Sequence, residues 1–261
     1  MKKHYSKVIA FVCVLLMYAC ADGNKQKENT SETTDKTKEK PEITQKTTTN
    51  TTPAFGIDIS QYQGDEVEAL TQYEDNIQFI FCKATEGVTY VDPKFTSNWT
   101  AIKEKGFIRG AYHFYRSADD PTQQAEFFIQ TLGELASMDI PPVVDFEKGG
   151  IDKSQAVEDV QESILTMLQV LEEKIQITPI LYTDNYTANE YLNNETFGKY
   201  PLWIADYESK ETPVVPSAWE GKGYTFWQKS DNYQIKNFTD DADVFNGDVN
   251  ALKEFIKKSH K

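Results

Sequence analysis

The chain is poor in cysteine, in histidine and, over most of its length, in positive charge. It has three cysteines, Cys13, Cys20 and Cys82, and the first two lie within or at the end of an N-terminal apolar segment. Only Cys82 falls in the part that reads as folded, so no disulfide forms there even though the chain carries export features. Cys82 sits in "FIFCKAT" and reads as a small core residue. A catalytic thiol needs a basic partner, and this part of the chain offers only His113 and His260. There is also no His/Cys metal cluster, no Gly-rich phosphate loop and no serine elbow, so neither a metal nor a cofactor is expected. The apolar run "VIAFVCVLLMY" has eleven residues, well short of the roughly 20 that a membrane helix needs. Lys plus Arg number 27 against 41 Asp plus Glu, a net charge of −14. From Ala54 onward there are 18 bases and 35 acids. Such a body repels a phosphate backbone, which excludes nucleic acid as a partner.

The basic "MKKHYSK" followed by the short apolar run marks residues 1–20 as an export signal. "LMYAC" resembles a bacterial lipobox, in which Cys20 becomes the lipid-modified first residue, although Tyr18 stands where a small residue is usual. "ACA" at 19–21 also fits ordinary signal peptidase, which would discard Cys20. Residues 21–53 contain no aromatic residue and a single Ile, too little to offset the entropy of ordering them. They read as a flexible tether with an r.m.s. span of roughly 30 Å. A tether directly after Cys20 favours lipid anchoring to a bacterial membrane over free secretion.

Residues 54–261 alternate strand-like and helix-like patterns. Strands are expected at 55–60, 79–85, 110–115, 141–147, 179–184, 201–207, 225–230 and 241–247. Helices are expected at 121–136, after the cap candidates Asp119 and Asp120, at 154–174 on a stripe of Val157, Val160, Ile164, Leu168 and Leu171, and at 249–258. Eight strands with helices between them in about 200 residues predict an α/β fold, a modified (β/α)8 TIM-like barrel. The connections after the fifth to seventh strands are short or rich in Pro and Gly, so some helices there should be missing or shortened.

In such a barrel the active site lies at the C-terminal strand ends. The fourth strand ends in "VVDFE", where Asp145 and Glu147 are two apart and face the same side. Asp58 lies on the first strand, Asp206 ends the sixth, and Asp241 and Asp243 lie on the eighth, which neighbours the first. Tyr112, Tyr115, Tyr182, Trp203, Tyr207 and Trp227 occupy comparable places. Carboxylates walled by aromatic rings suit a sugar polymer, because rings stack on pyranose faces and carboxyl groups serve the glycosidic oxygen. Asp206 reads as a loop cap, His113 as a structural hydrogen-bond partner, and Glu86 as either a cleft residue or a solvated loop charge.

These segments together resemble glycoside hydrolase family 25, the Chalaropsis-type lysozymes, over essentially all of 55–257. The resemblance rests on "GIDISQYQG", "FCKATEG" with "DPKF", "RGAYHFYR", "VVDFE", "PILYTDNY", "PLWIADY", "FWQKS" and "DADVFNGD". It implies an N-acetylmuramidase that cuts peptidoglycan glycan strands between N-acetylmuramic acid and N-acetylglucosamine, on a barrel with fewer helices than strands. It also implies Glu147 as general acid, Asp145 as partner carboxylate, Asp58 on the cleft floor and, counted back from Phe245, Asp241 as the last acid. Substrate-binding candidates are Tyr62, Glu86, Tyr112, Tyr182, Trp203, Tyr207, Trp227, Gln228 and Asp243. A monomer is expected.

Two departures from the family pattern stand out. Lys229 follows "WQ" where an aromatic or small residue is common, and Asp240 adds an acid beside Asp241. On an eighth strand parallel to the rest, Asp243 would be the nearer of the two to the mouth. The family spacing instead selects Asp241. Asp145 is expected to be charged, acting either as nucleophile or as the group that orients the substrate's 2-acetamido group. The resemblance implies retention of configuration. Two rival readings are a chitinase, which would carry a further Asp at the position of Val143, and a non-catalytic lipid-anchored wall-binding barrel.

Overall fold

The computed structural model describes residues 52–72 and 75–260. The export signal, Cys20 and almost all of the tether lie outside the described residues. Nine strands form one sheet: β1 (Phe55–Ile59), β2 (Phe79–Glu86), β3 (Tyr90–Val91), β4 (Ile108–Phe114), β5 (Val143–Asp145), β6 (Ile180–Asp184), β7 (Leu202–Ala205), β8 (Phe226–Ile235) and β9 (Phe238–Phe245). All but β3 close into a barrel of order β1-β2-β4-β5-β6-β7-β8-β9, with β9 returning to β1. β3 pairs only with β2 and lies outside the ring.

Seven barrel strands run parallel, and β9 runs antiparallel to both its neighbours. The reason is the connection. β8 and β9 are joined through Lys236 and Asn237 alone, with Lys236 at φ 50, and a link this tight makes a hairpin, since a parallel return needs a crossover of a dozen or more residues. This corrects the expected height of the eighth-strand acids. Asp241 is level with Asp58 near the mouth, whereas Asp243 is level with Gly56, deeper in the barrel.

The helices are α1 (Phe95–Glu104), α2 (Pro121–Leu132), α3 (Val157–Ile175), α4 (Asn185–Tyr191) and α5 (Val249–Ser259). Asp120 caps α2 by accepting from the Gln123 amide at 2.8 Å, and Pro121 occupies the first turn. α2 ends at Gly133, earlier than expected, where the backbone turns to φ 66. α3 buries Val160, Ile164, Met167, Leu168 and Leu171, so the expected stripe is the packing face. After β6 there is only the seven-residue α4, and after β7 no α-helix precedes β8, as the short connections imply.

Strand alternation separates two cores. Outside the barrel, Val144, Phe146, Leu181, Ile204 and Trp227 pack with the helices. Inside, Phe79, Phe81, Val143, Ile180, Trp203, Phe226 and Phe245 fill the lower barrel, and Leu252 and Ile256 of α5 join them. Phe81 stacks on Trp203 with centroids 4.3 Å apart. Gly110 is required here, since a Cβ on it would lie 2.3 Å from the Phe81 ring. Cys82 is buried with no partner cysteine, and its Sγ lies 3.7 Å from the Gly110 carbonyl.

Asp240 faces away from Asp241 and is 1% exposed. Its carboxyl finds no nitrogen or hydroxyl donor and instead meets that of Glu66. Burial, then the charge of Glu66, pushes Asp240 up to about 7. The folded state thus keeps a proton that the unfolded chain releases near the ordinary 3.8. This contribution is complete at low pH and is lost as pH rises through about 7. Asp240→Asn should therefore gain on wild type by roughly 1–3 kcal/mol between pH 5 and pH 8. Urea denaturation at the two pH values measures this, and a gap that does not change with pH would refute the shared proton.

Candidate active site

Each inward-facing register turns from apolar to polar on approaching the mouth. Phe79 and Phe81 lead to Lys83, Val143 to Asp145, Ile180 to Tyr182, and Phe226 to Gln228. These ends surround a cavity of about 110 Å3 lined by Asp58, Tyr112, Asp145, Glu147, Tyr182, Trp203, Gln228 and Asp241. The fold thus gathers acids from β1, β5 and β9 with Glu147, two residues beyond the end of β5.

Asp145 is the last residue of β5, and Glu147 follows in extended backbone at φ −136 and ψ 163. Between them Phe146 points outward and packs at 5.6 Å from the Tyr115 ring, which anchors the strand end. The Asp145 and Glu147 carboxyls both line the cavity, and each bears on the other's ionisation. Gln228 organises the opposite wall. Its Nε2 donates to Asp58 Oδ2 at 2.6 Å and to Asp241 Oδ2 at 3.3 Å, and its Oε1 accepts from the hydroxyls of Tyr182 at 2.8 Å and Tyr207 at 2.6 Å.

Burial dominates the electrostatics. It raises Asp145 well above the usual carboxylate range, with the charge of Glu147 adding to it. It raises Glu147 as well, and Asp184 adds repulsion there. Neighbouring carboxyls disfavour each other's ionisation, so the pair holds a proton to higher pH than a free carboxylate does. Asp145 is the deeper of the two, at 6% exposed, and burial is the largest cause of its shift. Burial also raises Asp58 well above the usual range, with Asp241 adding to it, and raises Asp241 to about 6.

Five of the other candidates lie elsewhere or reach the cavity only in part. Tyr62 is 86% exposed on the turn after β1 and does not line the cavity. Tyr207 stands at the rim and enters through its hydroxyl. Asp243 is fully buried behind the wall, accepting from Trp203 Nε1 at 2.8 Å and meeting the Asp58 carboxyl. Trp227 packs outside the barrel, with its indole donating to the Asp206 carbonyl and Lys229 over its ring. Glu86 is ion-paired with Lys83 and Arg116. Asp206 caps its own loop by accepting from Val214 N and from Ser209 N and Oγ. His113 is buried between Thr85 and Gln124 and is held down to about 4 by burial.

Sequence reasoning missed Lys83 and Arg116 beside the pair. The signal for Lys83 was its place two residues after the inward-facing Phe81. Among the described residues no group of three His, Cys, Asp or Glu is arranged to hold a metal ion.

A closed barrel with a carboxyl pair at its mouth, facing acids bridged by an amide and walls of tyrosine and tryptophan, is the site of a glycoside hydrolase. The sequence model of Glycosyl hydrolases family 25 matches residues 57–238, and the chain belongs to that family. It is 30% identical over 211 residues to an N,O-diacetylmuramidase of Arthroderma benhamiae, covering 77% of this chain and 86% of that one. The fold is similar to the crystal structure of a bacterial lysozyme from Streptomyces coelicolor, with TM-score 0.71, 27% identity and coverage of 80% of this chain and 100% of that one. It is also similar to a muramidase from Trichobolus zukalii, with TM-score 0.70, 30% identity and coverage of 78% and 99%.

Proposed function

We propose that the protein is a muramidase that cleaves the β-1,4 bond between N-acetylmuramic acid and N-acetylglucosamine in peptidoglycan. The observation that carries this reading is the Asp145–Glu147 pair at the mouth of a cavity whose far wall is Asp58, Asp241 and Gln228. Relatives named as muramidases and lysozymes support the substrate. Glu147, the less buried of the pair, is the general acid that protonates the leaving oxygen. Asp145 then carries the negative charge that faces the oxocarbenium-like sugar. Membership of family 25 supports retention of configuration.

The chitinase reading needs an acid at 143. Val143 instead fills the apolar lower barrel. A purely wall-binding barrel has no need of such an acid pair. Turbidity measurements on purified cell walls and on colloidal chitin test this directly. Clearing of walls but not of chitin is expected, and inertness on walls would defeat the proposal.

The catalytic unit is residues 54–261, held by the tether to a lipid on Cys20. Labelling with a palmitate analogue should tag the wild type and not Cys20→Ser. A mature N-terminus at Asp22 would instead show ordinary secretion.

A further inference from the structure

Lys83 and Glu86 are three residues apart on β2, so in a regular strand they would face opposite sides. The pairing of β2 with β4 slips between Lys83 and Thr85, with Lys83 opposite Tyr112 and Thr85 opposite His113. This bulge leaves Ala84 and Thr85 both outside, Ala84 in the outer core and Thr85 bonded to His113. Lys83 and Glu86 are thereby brought to the same side and ion-pair at 2.6 Å. Bulges next to active sites commonly re-aim a side chain in this way.

The chain of contacts continues. Arg116 Nε donates to Glu86 Oε1 at 2.9 Å, and its Nη2 reaches the same oxygen. Arg116 Nη1 donates to the Gly149 carbonyl at 2.7 Å, within the turn that follows Glu147. Lys83 Nζ lies 4.8 Å from the centre of the Phe114 ring, and the Arg116 guanidinium 4.6 Å from it. Phe114 is the strand neighbour of Asp145. Burial works against ionisation of Glu86, but its bonds to Lys83 and Arg116 outweigh that and hold its carboxyl below the usual range.

We propose that Lys83 is a positioning residue of this site, anchored by Glu86 and through it by Arg116, so that one fixed positive charge stands against the Asp145–Glu147 pair while Arg116 locks the turn carrying Glu147. This assignment rests on the muramidase reading for its catalytic meaning, but the arrangement is testable without turnover. The other groups facing the pair are Asp58 from β1, Arg116 after β4, Asp184 at the end of β6 and Asp241 from β9. Acids outnumber bases among them, so loss of Lys83 leaves a mainly repulsive surround. A neighbouring cation favours the ionised form, and its removal raises both titrations of the pair.

The test is a carbon-13 NMR titration of carboxyl-labelled protein, together with the pH profile of kcat/KM on cell walls. Lys83→Met should raise both pair titrations by roughly 0.5–1 pH unit and carry both limbs of the profile upward, while Lys83→Arg should return them to the wild-type position. If Lys83→Met does not fold by circular dichroism, Lys83→Gln is titrated in its place. Titrations unmoved by loss of the charge, or moved equally in Lys83→Arg, would overturn the proposal. A wild type that clears no walls would instead defeat the muramidase reading, and the titration would still decide the role of Lys83.

Discussion

Glu147→Gln is expected to lower turnover on peptidoglycan at least about 100-fold, the scale of losing a general acid, with folding intact. Gln matches Glu in size and still accepts a hydrogen bond, so the site keeps its shape and loses only the transferable proton. Glu147 is partly exposed at the end of β5 and makes no structural hydrogen bond outside the pair. Asp145→Asn is expected to fall by a similar factor for a different reason. Asn matches Asp in size and still fills its place in the cavity wall, but no negative charge then faces the sugar. Initial rates of wall clearing, with circular dichroism as the folding control, measure both. Near wild-type activity in Glu147→Gln would mean that the proton comes from elsewhere.

The second large effect separates the two acids of β9. Asp241 forms part of the cavity wall and shares Gln228 with Asp58. Asp241→Asn should cost roughly 100-fold, as expected when a preorganised charge at a transition state is removed. Asp243 is fully buried behind the cavity wall, where burial and then the charge of Asp58 work against its ionisation. An Asn there still accepts from the Trp203 indole and donates to Asp58. Asp243→Asn should therefore retain most of the activity. The reverse order, with both variants folded, would mean that the sugar reaches deeper into the barrel than the cavity does.

Much of the fold is legible in the sequence because inward-facing positions repeat every second residue. The eight barrel strands and the packing stripe of α3 follow from that periodicity. The direction of β9 does not. The stretch "SDNYQI" is polar and exposed and reads as loop, yet it is the outer half of β8, paired with β9 in a hairpin. α1 is equally hard to read, since its Thr96, Ser97 and Thr100 are weak helix formers.

In the site, alternation alone shows that Trp227 and Gln228 cannot both face the cavity, and Gln228 takes the inner place. The same rule settles the neighbouring acids, with Asp241 inward and Asp240 towards Glu66. It fails where the strand is irregular. The pairing of Lys83 with Glu86 depends on a bulge, and no periodic signal in the sequence announces one. Nor does spacing reveal that Asp145 lies deeper than Glu147, so that burial bears on the two carboxyls unequally.

The most direct test of the central claim is mass spectrometry of the reducing ends released from purified peptidoglycan, with Glu147→Gln run beside the wild type. The wild type should release N-acetylmuramic acid reducing ends and the variant almost none. Release of only N-acetylglucosamine ends, or of peptides alone, would contradict the account.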